Sequence, residues 1–271
     1  MRKFLCFIIV LFLFVNCEDP IDILLNDADE KLVVEAYINW IKELKQTEQV
    51  VKLSLSSPYF NVQAKPANGA LVTIEDDEGQ VYRFVEEQNS GRYLAQDTIP
   101  YSLGQSFTLK IQYKGEHYHA TESLKSVSSI ERIEQDRINF FGSESVELEV
   151  HCFDPEEERN FSYFEFISEP LSVPEYSIYR DDFSNGGEYY GFLLSPDLES
   201  GDQIRIRQYG LSNIGYNFWY LLLLQNTQQG GPFQTTPVNL VGNIVHESNS
   251  DLNPFGFFRI SEVSEKIYTI N

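Results

Sequence analysis

The chain has 271 residues, 20 basic against 41 acidic, and a formal net charge of −21. A chain so acidic is repelled by nucleic acid and by anionic lipid head groups, so functions that rest on those contacts are excluded. Its length suffices for two domains of ordinary size, and it carries three cysteines, Cys6, Cys17 and Cys152.

Arg2 and Lys3 precede an almost unbroken apolar run over residues 4–15. That run is about a dozen residues, short of the roughly 20 a membrane-spanning helix needs, so it reads as a cleaved export signal. It ends at Phe14-Val15-Asn16-Cys17, which resembles a bacterial lipobox, with Asn16 where Gly, Ala or Ser is usual. The expectation is a signal peptide over residues 1–16, diacylglycerol on the Cys17 thiol, and a lipid-anchored linker over residues 17–30. Glu18 and Asp19 resemble the export tags of surface-exposed lipoproteins in Bacteroidota. With Cys6 removed and Cys17 lipidated, Cys152 stands alone, and folding must rest on hydrophobic burial without an internal disulfide.

Residues 31–125 alternate with period two, the signature of strands with one core face and one wet face. Phe107, Leu109, Ile111 and Tyr113 alternate with Ser106, Thr108, Lys110 and Gln112. Asp76-Asp77-Glu78-Gly79, Asn89-Ser90-Gly91 and Lys114-Gly115 supply turns, the last a two-residue hairpin loop. About seven strands at this spacing predict an immunoglobulin-like or prealbumin-like β-sandwich. A Ser-rich stretch over residues 124–130 marks a boundary, and residues 126–271 form a second β-rich domain. Its strands are read at 146–151, 161–167, a pair within 176–194 around Asn185-Gly186-Gly187, 203–209, 238–245, 256–260 and 266–270. One substantial helix is expected at 214–228, where Ile214, Phe218, Leu221, Leu222 and Gln225 recur at helical spacing behind Ser212 as cap. Gly230-Gly231-Pro232 ends it.

Several segments stand in a characteristic order: Cys17-Glu18-Asp19, Lys31-Leu32-Val33-Val34-Glu35-Ala36-Tyr37-Ile38, Ala70-Leu71-Val72-Thr73-Ile74 and Gly91-Arg92-Tyr93. Asp154-Pro155 with Asn160-Phe161-Ser162-Tyr163, Val241-Gly242-Asn243-Ile244 and Gly256-Phe257-Phe258 follow. On these the chain resembles the domain-of-unknown-function 4249 family of Bacteroidota outer-membrane lipoproteins. The family brings no agreed activity and no catalytic residues. The resemblance implies a companion of TonB-dependent outer-membrane receptors.

Catalysis has no constellation to stand on. No Gly-x-Ser-x-Gly elbow and no Gly-rich phosphate loop occurs. His117 and His119 lie two apart on one strand face and could share a metal ion, but lack a third ligand. Asp154, with Glu156-Glu157-Glu158, is the foremost of several acidic clusters that could take calcium, though none has EF-hand spacing. His151 is read as structural and Cys152 as a small core residue. Asp97-Thr98-Ile99 resembles an O-glycosylation signal on Thr98. No cofactor is called for. The expected function is a non-enzymatic outer-membrane lipoprotein, a binding or accessory module beside a receptor barrel. The alternative is a surface adhesion or scaffold lipoprotein with no transport role.

Overall fold

Alternation becomes strands throughout the first region of the computed structural model, which describes residues 30–57, 64–140, 142–156, 159–181, 186–227 and 240–271. The signal segment, Cys17, the linker up to residue 29, Glu157-Glu158, Asn185, residue 228 of the expected helix and Gly230-Gly231-Pro232 lie outside the described residues. The first region forms β1 (Leu32–Ile41), β2 (Gln46–Leu55), β3 (Lys65–Pro66), β4 (Leu71–Asp76), β5 (Val81–Glu86), β6 (Arg92–Ala95), β7 (Ser106–Tyr113) and β8 (Glu116–Ser123). The rest forms β9 (Ile130–Phe140), β10 (Ser143–Phe153), β11 (Phe161–Ser168), β12 (Glu175–Arg180), β13 (Glu188–Ser195) and β14 (Gln203–Gly210). Helix α1 (Asn213–Thr227), β15 (Val245–His246) and β16 (Phe255–Thr269) complete it. The protein is mainly β with one substantial helix, as its pattern predicts.

The large sheet runs β12-β11-β14-β16-β1-β2-β6-β5-β4-β7-β8-β15, with β3 beside β2. Its β1–β8 part curls around a core that includes Leu53, Ile74, Tyr93, Leu109 and Ile111. Directly after β8, Lys125 bridges Ser261 of β16, so the curled sheet returns to the strand beside its start. The β7–β8 hairpin turns at Lys114-Gly115 with φ of 51° and 87°, the paired positive angles of a tight two-residue turn.

A second sheet, β13-β10-β9, covers the β12-β11-β14-β16 end of the first. Val146, Leu148 and Val150 of β10 meet Phe164, Phe166, Ile204 and Ile206 in the second core. The strands on either side of Gly186-Gly187 do not pair with each other. β12 joins β11 and β13 joins β10, so the chain changes sheet there.

Two strands differ from the sequence reading. β9 lies between the boundary read at 124–130 and the first strand expected at 146–151, where no strand is read, and the two closing strands expected at 256–260 and 266–270 are one, β16. Its first half pairs parallel with β1 and its second half antiparallel with β14. Phe258 and Ile260 thereby enter the first core, while Tyr268 and Ile270 pack on the second. Of the strand expected at 238–245, only Val245 is in β15, and residues 238–239 lie outside the described residues.

Helix α1 starts where Ser212 predicts: its Oγ accepts from Gly215 N at 3.1 Å, satisfying one of the free amides of the first turn. Its inward face matches the expected one at Phe218 but not at Ile214. Ile214 is 62% exposed, whereas Tyr216 and Phe218 are buried. Among the described residues, no helix is long and apolar enough to cross a membrane.

Candidate functional site

Where β16 passes from one core to the other, its outer face is roofed by α1, and a cavity of about 600 Å³ lies between them. The floor is set by the period-two rule: Glu35, Tyr37 and Asn39 of β1, Phe257 and Arg259 of β16, Arg207 and Tyr209 of β14, and Tyr163 and Glu165 of β11. Phe218, Trp219 and Leu222 of α1 close it from above.

Arg259 is its centre. Only 7% of the residue is exposed, yet no carboxylate among the described residues forms an ion pair with it. Instead the guanidinium stacks over Tyr209 at 4.2 Å and Tyr163 at 5.2 Å, with Trp219 at 6.0 Å. Stacking on ring faces attracts the cation without neutralising it. Two hydrogen bonds hold it in place, from Nη2 to Asn39 Oδ1 at 2.9 Å and from Nη1 to the Tyr163 hydroxyl. A guanidinium has five N–H donors, so three remain uncommitted among the described residues. The Trp219 indole Nε1 is a second buried donor without an acceptor. Burial pushes the Tyr163 and Tyr209 hydroxyls well above the ordinary tyrosine value, so both stay protonated at neutral pH. The Tyr209 hydroxyl donates to Glu165 at 2.6 Å, which ties up that carboxylate.

The cavity can therefore hold an apolar or aromatic body and offer it positive charge and unspent donors.

The residues singled out in the sequence lie elsewhere. His117 and His119 sit on β8 opposite Gln112 and Lys110 of β7, and the Lys110 ammonium pairs with Glu75, so the facing β7 residues supply no carboxylate or imidazole. His246 Nδ1 accepts from the amides of Ser248 and Asn249 at 3.2 and 3.0 Å, which leaves Nε2–H for Glu116 at 2.7 Å, a structural clasp. Thr98 is exposed beside buried Ile99. Cys152 is a core residue, as expected. Burial pushes its thiol up to about 12, and it donates to Gln208 at 3.0 Å.

Asp154 is fully buried and faces Asp181, also buried. Asn160 Nδ2 donates to Asp154 Oδ1 at 2.9 Å, but Asp154 Oδ2 and Asp181 Oδ1 have no partner. Calcium takes about six to eight oxygen ligands, more than the described residues gather here. Desolvation first, then Asp181, raises the Asp154 pKa above its ordinary 3.8. A raised acid is stabilising while protonated, so this contribution is complete below 3.8 and is lost as pH rises through the folded value. Asp154→Asn supplies a permanent donor to the facing carboxylate. It is expected to raise stability by about 1 kcal/mol or more at neutral pH, with the gain vanishing near pH 4. Urea unfolding at the two pH values checks this.

Sequence reading missed the cavity. Its one available signal was Arg259, a charge set inside the run Phe257-Phe258-Arg259-Ile260.

A search of curated proteins gives no match. Among solved structures, the chain is similar to a two-domain fibronectin type III segment of chicken tenascin. That likeness is at 13% identity over 67% of this chain and 90% of the other, with a TM-score of 0.21. The model of a family described as a domain of unknown function, DUF4249, matches residues 18–267, and to that family this chain belongs.

Proposed function

We propose that this protein is a non-enzymatic binding module, tethered to the outer membrane through lipid on Cys17, that works beside a TonB-dependent receptor. The observation that carries the binding reading is the cavity around Arg259, whose buried charge and Trp219 indole have no partner among the described residues. Its ligand is a small molecule with an apolar or aromatic body and an anionic group, a carboxylate first of all, directed at the guanidinium. The tether rests on the apolar leader ending at Cys17, and the receptor partnership on what the family resemblance implies.

The chain has two tryptophans, and Trp219 lines the cavity while Trp40 does not. In a Trp40→Phe background, fluorescence therefore reports the cavity alone. Aromatic carboxylates are expected to change Trp219 emission saturably, and their neutral amides to bind about tenfold or more weakly. Arg259→Met is expected to erase that preference, since a charge-assisted hydrogen bond contributes about 1.5–3 kcal/mol. Equal binding of acid and amide would exclude the anionic class. Purification from gently solubilised membranes tests the partner: wild type is expected to bring down a β-barrel, and Cys17→Ala to leave the membrane fraction.

A further inference from the structure

On the far side of the molecule, the outer face of the three-stranded sheet carries a second polar cluster, built around His151. This histidine lies in the middle of β10, opposite Arg132 of β9 and Tyr190 of β13. Its side chain is only 7% exposed, and both ring nitrogens are sealed from solvent without an aligned hydrogen-bond partner. The ring of Tyr190 shields it, centroid to centroid at 5.4 Å.

Carboxylates face both nitrogens. Glu149 Oε2 is 3.2 Å and Glu134 Oε2 is 3.7 Å from Nε2, and Glu188 Oε2 is 3.4 Å from Nδ1. The ladder creates this convergence. Glu149 shares a strand face with His151 two residues on, and Glu134 stands directly opposite Glu149. Glu188 arrives from β13 on the other side.

A neutral imidazole has one N–H and one lone pair. Whichever tautomer is present, one nitrogen, itself sealed from water, then directs a lone pair at carboxylate oxygens, acceptor against acceptor. A cation between them turns that repulsion into ligation. Ligand atoms of Glu134, Glu149 and His151 all lie within 4.8 Å of one another, a span that one ion with bonds of about 2.0–2.2 Å closes with small side-chain shifts. Arg132 acts as the outer support: its Nε donates to Glu134 Oε1 at 2.8 Å, which leaves Oε2 turned toward His151, and its other end grips Glu188. Three carboxylates against one guanidinium leave the cluster negative.

We propose that His151, Glu149 and Glu134 form a binding site for a divalent first-row transition ion such as zinc. One imidazole and two carboxylates suit that class, whereas calcium and magnesium select oxygen ligands only. The bound ion ties β9 to β10, so its affinity for the folded chain appears as stability.

The test uses the full chain in detergent, stripped with chelator, with Zn²⁺ titrated against a chromophoric competitor and thermal melts run with and without metal. Wild type is expected to bind Zn²⁺ and to melt higher with it, while Ca²⁺ at the same concentration leaves the melt unchanged. His151→Gln and Glu149→Gln are each expected to weaken that binding by about 100-fold or more and to remove the shift. Arg132→Gln is expected to weaken it by about 10–100-fold through the loss of orientation. His117→Ala, on another sheet face, is expected to match wild type, and comparison within one chain cancels zinc held elsewhere. Glu149 is partly exposed and its variant is expected to retain the fold, so the test survives a failure of His151→Gln to fold. Zinc binding that is absent, or equal in wild type and Glu149→Gln, overturns the proposal. A melt raised equally by Zn²⁺ and Ca²⁺ also overturns it, since it reports acidity alone.

Discussion

Gly256→Ala is expected to cost about 3 kcal/mol or more, through backbone strain and overpacking together. Gly256 sits at the start of β16, opposite Val34 of β1, with φ of 110°, a region L side chains rarely adopt. A Cβ built there would stand 1.9 Å from the Val34 carbonyl oxygen and 2.8 Å from its carbon. Both are backbone atoms of a fully buried residue in a paired strand, so neither can swing aside. Gly79 supplies the control, since its φ is 86° but a Cβ there meets nothing within 4 Å. Gly79→Ala thus isolates the conformational penalty, about 1 kcal/mol. Urea unfolding of both variants separates strain from collision. Equal losses would mean that the β1–β16 junction yields freely and is not the rigid seam its geometry implies.

That seam is also where sequence reading lost the fold. β7 and β14 were legible because each has one wet face: Ser106, Thr108 and Lys110 alternate with Phe107, Leu109 and Ile111, and Arg205 with Ile204 and Ile206. β16 has no wet face over most of its length. Residues 257–264 are all buried, one side by the first core and the other by α1 and the cavity, so alternation disappears. Nor does local pattern disclose that the chain's last strand pairs beside its first, with a partner more than 200 residues away. β9 escaped for the opposite reason. Its sequence, Ile130-Glu131-Arg132-Ile133-Glu134-Gln135, is largely exposed and shows no sustained apolar face.

The polar sites were hidden by the same pairings. His117 and His119 attracted notice because they are neighbours in sequence, but their cross-strand partners are Gln112, Lys110 and Val245, none of them a carboxylate, imidazole or thiol. His151 looked solitary because its carboxylates come from β9 and β13 as well as β10. Asp154 and Asp181 were each visible as part of a separate acidic cluster, but nothing local showed that the fold sets them face to face. Arg259 was visible as an anomaly in an apolar run, but its rings come from four elements, Tyr37 of β1, Tyr163 of β11, Tyr209 of β14 and Trp219 of α1.

Arg207→Met is expected to cost about 3 kcal/mol, the lower end for breaking a buried ion pair, because Glu48 keeps partial access to water. Arg207 donates to both oxygens of Glu48 at 3.1 and 3.0 Å and from Nε to Glu265 at 2.5 Å. The Arg207 and Glu265 side chains are each 11% exposed. Burial opposes the charge of Arg207, but Tyr209, Glu48 and Glu265 outweigh it and hold the guanidinium above its usual value. Removing Arg207 alone leaves Glu265 a buried charge without its partner. Adding Glu265→Gln removes that charge, so the double variant is expected to recover part of the loss in urea unfolding. A single-variant cost below about 1 kcal/mol would reclassify the cluster as an ordinary surface pair. The consequence reaches the cavity. Glu48 also accepts from Asn39 Nδ2 at 3.2 Å, and Asn39 Oδ1 accepts from Arg259. A polar chain thus runs from Glu265 through Arg207, Glu48 and Asn39 to the guanidinium that faces the ligand. Arg207→Met therefore weakens carboxylate binding as well as the fold, whereas Gly79→Ala changes stability and leaves the Trp219 response intact.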